Sequence, residues 1–214
     1  MLELTLVRPP DGFKRYDLVQ SFLRLRKQIF VDKMGWPLYD YEEIEFEQYD
    51  SFTAAYIIAH EGGDVLGGAR LIRTDQMLGS GKLRYSYMIR DACLGLLPGM
   101  PTTLCTAPPP QDNKIWELTR LVTVPGKEVA RPILLAVNEF LITENASTCL
   151  FLGPPAFIRM AKSMNFSPVP LGPIVRNEDG KFLAFSCRVL GAPNVVGKNP
   201  ISQAREPLEL IDGK

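Results

Sequence analysis

Histidine is nearly absent: the chain of 214 residues holds one, His60. A metal centre built on two or more imidazoles is therefore excluded, and any serine–histidine or cysteine–histidine pair would have to use this residue. His60 closes the strand-like run Phe52–His60 before Gly62-Gly63, a place that reads as surface rather than as catalyst. Cysteine is scarce as well. Cys93, Cys105, Cys149 and Cys187 form no C-x-x-C pair and no zinc spacing, which points to reduced thiols, a cytoplasmic setting and no structural metal. Neither sign of charge is in excess: 24 lysines and arginines balance 24 aspartates and glutamates, so nucleic-acid binding is not expected. No apolar run approaches the roughly 20 residues that span a bilayer. The start, Met1–Val7 followed by Pro9-Pro10, is strand-like and has neither region of a secretion signal. Internal repeats and low-complexity segments are absent.

What is present suits a folded core. Hydrophobic residues make up 46% of the chain, which rules out disorder and fits one domain over residues 1–190 with a proline-containing peripheral tail from 191 to 214. Phe13–Phe30 has helical periodicity, with Leu18, Val19, Phe22, Leu23, Leu25, Ile29 and Phe30 on one arc. Phe52–His60 and Val65–Arg73 read as a hairpin across Glu61-Gly-Gly-Asp64. Residues 98–114 are a proline-rich loop. Ile115–Val124 is apolar on both alternating faces, the mark of a central strand covered on two sides. A helix near Ala130–Asn145, a strand Thr148–Leu152, a short helix Pro155–Met164 and a hairpin around Asn177–Gly180 ending in Phe182–Val189 follow. This order implies an α/β fold with a single mixed, mostly antiparallel sheet flanked by helices. It is also the element order of the Gcn5-related N-acyltransferases, an analogy that proves no activity.

Four charged features break the local pattern, and functional sites are where such breaks concentrate. Arg26 falls inside an apolar arc, either snorkelling at the helix end or paired with a carboxylate. Asp40–Asp50 carries six carboxylates in eleven residues and no base. That stretch is either a solvated loop or a cation site with Phe30, Trp36 and Tyr49 as aromatic faces. It lacks the D-x-D-x-D-G calcium frame. Arg70 shares a strand face with Leu66, Gly68 and Ile72, where Gly67 and Gly68 permit close approach of a ligand or another backbone. In the central strand, strict alternation puts Glu117 with Ile115 and Leu121, and Arg120 with Trp116, Leu118 and Val122. The two are separated unless a bulge intervenes. Guanidinium groups and carboxylates gathered on one sheet suit a small zwitterionic ligand.

Read in order, these residues resemble the acyl-homoserine-lactone synthases, the autoinducer synthases of bacterial quorum sensing. The resemblance rests on Leu25-Arg26-Lys-Gln-Ile-Phe30, Gly35-Trp36, Glu45-x-Glu47-x-Tyr49-Asp50, Gly68-Ala69-Arg70-Leu71 and Trp116-Glu117-Leu118-Thr119-Arg120. It thins towards Phe166 and covers about three quarters of the chain. It implies the acyltransferase fold, and N-acylation and lactonisation of S-adenosylmethionine by an acyl carrier protein or acyl-coenzyme A thioester, with release of methylthioadenosine and no further cofactor or metal. It assigns Arg26, Phe30, Trp36, Glu47, Asp50 and Arg70 to the adenosylmethionine pocket, with Arg120 and the proton acceptor Glu117 as catalytic residues. Three departures stand out. Glu47 replaces a common aspartate, Leu121 replaces a frequent phenylalanine, and Phe151 falls where 3-oxo producers carry a small hydroxyl residue. Phe151 would shorten the acyl pocket and favour an unsubstituted or unusual acyl chain.

Two other readings compete: an acetyl-coenzyme A N-acetyltransferase and a non-catalytic binding module. The first wants a glycine-rich phosphate loop, whereas Val124–Arg131 has one glycine and an acidic residue. An acidic carrier protein would need a basic surface. Lys127, Arg131, Arg159 and Lys162 are the docking candidates, within a stretch from residue 120 that carries 11 basic and 8 acidic residues.

Overall fold

The computed structural model describes residues 1–191, apart from the side chain of Leu83. Beyond Gly191, the tail expected to be peripheral lies outside the described residues. The elements are β1 (Glu3–Val7), α1 (Tyr16–Arg26), β2 (Asp40–Tyr41), β3 (Ile44–Glu45), β4 (Ala55–Glu61), β5 (Asp64–Arg73), β6 (Leu78–Ser80), β7 (Leu83–Tyr85) and α2 (Met88–Cys93). They continue with β8 (Ile115–Thr123), α3 (Ala130–Thr143), β9 (Thr148–Gly153), α4 (Ala156–Ser163), β10 (Val169–Pro170), β11 (Val175–Asn177) and β12 (Gly180–Arg188). The main sheet runs β1-β4-β5-β8-β9-β12-β10, with β11 also on β12. Every pairing in it is antiparallel except β8–β9, as the mixed, mostly antiparallel reading requires. No helix among the described residues is long and apolar enough to cross a membrane.

Alternation along the strands builds a core on each face. On one side Leu18, Val19, Phe22 and Leu23 of α1 pack on Tyr56, Ile58 and Ile72. On the other, Ile133, Val137, Phe140 and Leu141 of α3 cover Ala55, Ile57, Ala69, Leu71, Trp116 and Leu118. Gly67 and Gly68 serve this packing. A Cβ on Gly68 would sit 2.9 Å from the Phe22 ring and 3.0 Å from the Ile57 carbonyl oxygen. The close approach is made by α1 and the neighbouring backbone.

Three expectations need correction. The helix expected over Phe13–Phe30 is wound three ways: a 3-10 turn at Asp11–Arg15, α1, and a π-wound segment at Lys27–Lys33. The change of winding falls at Arg26, whose buried ion pairs tie the end of α1 in place. His60 is not surface. β1 lies alongside β4, so the imidazole is buried and its Nε2 sits 2.9 Å from Thr5 Oγ1. Strict alternation fails in β8. Arg70 pairs with Thr119 but Gly68 with Val122, a bulge that places one extra residue in β8. Arg120 takes that place with φ of 55°. Val122 consequently packs in the α1-side core and Leu121 against the α3 side, the reverse of the expected faces. The proline-rich stretch 98–114 is loop, as expected, and β6, β7 and α2 lie before it.

The parallel pair has a second consequence. β8 and β9 are matched only from Ile115–Thr148 to Leu118–Phe151, although β8 runs on to Thr123 and β9 to Gly153. The two strands part beside Thr119 and Arg120.

Candidate active site

Three arginines and three carboxylates meet on the α1 face where the strands part. Arg26, at the end of α1, is fully buried; its Nη1 and Nη2 donate to Asp50 at 2.7 and 3.0 Å, and its Nε and Nη2 close on Glu45. Arg70, from β5, donates from Nε to Thr119 Oγ1 at 3.1 Å and from Nη2 to Glu47 at 2.5 Å. Its Nη1 lies 2.9 Å from Asp50 Oδ1 without hydrogen-bond alignment. Arg120 donates from Nη2 to Glu47 at 2.8 Å and to Glu45 at 3.2 Å. The Tyr56 hydroxyl and the Glu47 amide add hydrogen bonds to Asp50, each 3.0 Å. With equal numbers of each sign, no charge is stranded in the interior, the condition under which buried ions are tolerated. Burial pushes the Asp50 carboxyl up, but Arg70 and Arg26 outweigh it and hold it well below the usual carboxylate range. Arg120 and Arg70 likewise lower Glu47 against its burial.

Aromatic faces complete the cluster. The π-wound segment turns Phe30 to stack on Trp36, ring centres 5.1 Å apart and planes 4° from parallel. The Arg120 guanidinium lies 5.7 Å over Phe30, and that of Arg70 lies 5.5 Å over Tyr49. The left-handed backbone of Arg120 is uncommon for a residue with a side chain, and it aims the guanidinium to the face that holds Glu117. Glu117 is fully buried and accepts the first two amide protons of α2, from Met88 at 2.8 Å and Ile89 at 2.7 Å. Burial raises its pKa to about 7 even though those amides and Arg70 favour the charged form. Beside it, the Tyr49 hydroxyl donates to Asp91 at 2.8 Å.

Arg26, Phe30, Trp36, Glu47, Asp50, Arg70 and Arg120 thus converge, and Glu117 comes from the same face of the same sheet. Glu45 belongs to the network and was left out of the candidates; its signal was the Glu45-x-Glu47 spacing inside the acidic stretch. Tyr56 and Asp91 were missed with it. Phe151 does not join the network. It faces the α3 and α4 side, where it lines an apolar cavity. Lys127, in the loop before α3, Arg131, in its first turn, and Arg159 and Lys162, on α4, are all exposed and are not brought into the network. Among the described residues no three histidine, cysteine, aspartate or glutamate side chains are disposed to hold a metal ion.

The Autoinducer synthase family profile matches residues 13–101, the span from α1 to the loop after α2 that supplies Arg26 through Arg70. The acyl-homoserine-lactone synthase of Ralstonia solanacearum is 27% identical over 208 residues, covering 87% of this chain and 91% of its own. The chain resembles the acyl-homoserine-lactone synthases over these spans. The structure of the CoA-dependent acyl-homoserine lactone synthase BjaI with MTA superposes with a TM-score of 0.74 at 21% identity, over 88% of this chain and 84% of that one. A putative N-acetyltransferase from Lactobacillus plantarum has a TM-score of 0.55 at 13% identity, over 88% and 99% of the two chains. The acyltransferase fold is therefore shared beyond acyl-homoserine-lactone synthases. In this chain the longer arm of Glu47 spans two arginines, Arg70 and Arg120, with one oxygen on each.

Proposed function

We propose that the chain acylates S-adenosylmethionine from an acyl thioester and closes the product to an acyl-homoserine lactone. The observation that carries this reading is the meeting of a charge-balanced arginine–carboxylate network with the parting of β8 and β9. A zwitterionic sulfonium needs arginine for its carboxylate, and acidic and aromatic groups for its cations. The Arg120–Glu47 pair is the exchangeable one. Its side chains are 7% and 15% exposed, whereas those of Arg26, Glu45 and Asp50 are fully buried. When the substrate carboxylate takes Arg120 and its ammonium takes Glu47, each broken ion pair is replaced by a new one.

The amine then attacks the thioester carbonyl carbon; the carbon–sulfur bond breaks, and the leaving thiolate takes up the second amine proton to depart as thiol. Glu117 receives the ammonium proton in this reading. The substrate carboxylate next attacks its own γ-carbon, and the bond to the sulfonium breaks, releasing neutral methylthioadenosine. Arg120, at the parting of the strands, stands between the two half-reactions. The donor is an acyl carrier protein or acyl-coenzyme A thioester, with Lys127, Arg131, Arg159 and Lys162 offered to an acidic carrier. Both substrates are cytoplasmic, and the reaction is assigned there.

Arg26→Ala, Asp50→Ala and Arg120→Ala should each cut lactone formation by at least about 100-fold, the usual loss when one preorganised charged contact is removed. Thermal melts should show a folded chain, with Asp50→Asn as the milder substitution if Asp50→Ala unfolds. Retained activity in any two of the three positions would mean that the site lies elsewhere.

A further inference from the structure

The fully buried Glu117 carboxylate accepts the amide protons of Met88 and Ile89, at 2.8 and 2.7 Å, as α2 begins. Tyr87, the residue before the helix, offers no side-chain cap, so Glu117 fills that role from β8. A helix of six residues does not hold itself in place for this. Its anchor is Asp91, also fully buried, whose Oδ2 accepts hydrogen bonds from the Ser86 amide and the Tyr49 hydroxyl, each at 2.8 Å. Asp91 thereby closes the turn that enters α2 and ties the helix to the segment bearing Glu47 and Asp50. Tyr49 is buried too, with the Arg70 guanidinium 5.5 Å over its ring. One hydroxyl thus links the charged network to the helix that holds Glu117.

Resting on the synthase reading, we infer that Tyr49 and Asp91 are positioning residues for the reaction, holding the Met88 and Ile89 amides on the Glu117 carboxylate. The hydroxyl and the charge have opposite effects on that carboxylate. Facing Glu117 are Arg70 from β5, Asp91 and Tyr87 at α2, Tyr49, Cys105 from the proline-rich loop and Cys149 from β9. Burial keeps the two tyrosines and two cysteines protonated and neutral, the Cys105 thiol being pushed up to about 12. Arg120, on the same strand, is paired with Glu45 and Glu47. Arg70 favours ionised Glu117 and Asp91 opposes it, while the amides that Asp91 and Tyr49 steady favour it. The Arg90 guanidinium stands 3.8 Å from Asp91, beyond hydrogen-bond reach, and leaves that negative charge largely in force.

The test pairs Tyr49→Phe with Asp91→Asn. Tyr49→Phe keeps the ring and the Asp91 charge but removes the hydroxyl, whereas Asp91→Asn keeps an oxygen acceptor but removes the charge. Each full-length variant is titrated by NMR of isotope-labelled glutamate carboxyls, the Glu117 signal being identified by its loss in Glu117→Gln. Its pH–rate profile is recorded at low S-adenosylmethionine. In Tyr49→Phe the titration midpoint and the rising limb should both move up by about one pH unit, with turnover near neutrality about fivefold lower and restored at higher pH. In Asp91→Asn both should move down by about half a unit. A purely structural role would lower the melting temperature, or the rate at every pH, and leave both midpoints in place. Unmoved midpoints, or midpoints displaced in the same direction, overturn the inference. If Tyr49→Phe does not fold, Asp91→Asn decides alone: a lowered midpoint supports the inference, and an unmoved or raised one overturns it. Opposite titration shifts in a protein that forms no lactone from any thioester overturn the synthase reading and leave the control of Glu117 standing.

Discussion

Glu117 sits in the interior with two amide protons on its carboxylate, and burial nevertheless raises its pKa to about 7. The sign of its effect on rate follows. Below that pH the group is protonated and cannot take a proton from an ammonium, so turnover at low substrate should rise with pH through about 7. Stability moves the other way, because the folded chain binds this proton more tightly than the unfolded one and loses that advantage as pH climbs from the usual carboxylate range towards 7. Glu117→Gln should remove the rising limb of the pH–rate profile and cut turnover. A limb that survives in the glutamine variant would belong to the substrate amine and would take Glu117 out of the proton transfer. At this scale the sequence was most legible where a charge broke an apolar pattern: Arg26 in its arc, and Glu117 and Arg120 in a central strand. Glu45 was hidden because an acidic stretch read residue by residue looks like solvated loop. Tyr56 and Asp91 were hidden because one hydroxyl or carboxylate in a mixed segment carries no periodic signal. His60 was misplaced because the pairing of β1 beside β4, which buries it, is not a local property.

Long elements announce themselves through periodicity, and α1, α3, β4, β5, β8, β9 and β12 fall within a few residues of their sequence-based limits. The six-residue α2 and the three-residue strands β6 and β7 are too short to show a period, so they were not seen. The bulge in β8 could be stated only as a condition, since its cause is the register against β5. It is nonetheless what puts Arg120 and Glu117 on one face. The packing of α1 on β5 is equally tight: a Cβ on Gly68 would strike the Phe22 ring and the Ile57 carbonyl. Gly68→Ala should therefore destabilise the fold by about 1–2 kcal/mol, overpacking outweighing the smaller gain from a less flexible unfolded chain. Chemical denaturation measures this directly, and an unchanged or raised midpoint would show that α1 yields more readily than its contacts imply.

The molecule as a whole divides its labour across one sheet. The α1 face carries paired charge and the α3 and α4 face carries an apolar cavity, with β8 and β9 parting between them. A net charge of zero hides this division, because the three arginines and three carboxylates of the site cancel. The α/β class and its mostly antiparallel sheet could be read from element order, whereas the charged network depends on long-range pairing. The most direct measurement of the synthase assignment is mass spectrometry of purified protein mixed with S-adenosylmethionine and carrier-bound or coenzyme A-bound acyl thioesters. Methylthioadenosine and acyl-homoserine lactone should appear together in a one-to-one ratio, with one thioester class clearly preferred. Release of free thiol while S-adenosylmethionine stays intact would contradict the account and mark a different acyltransferase.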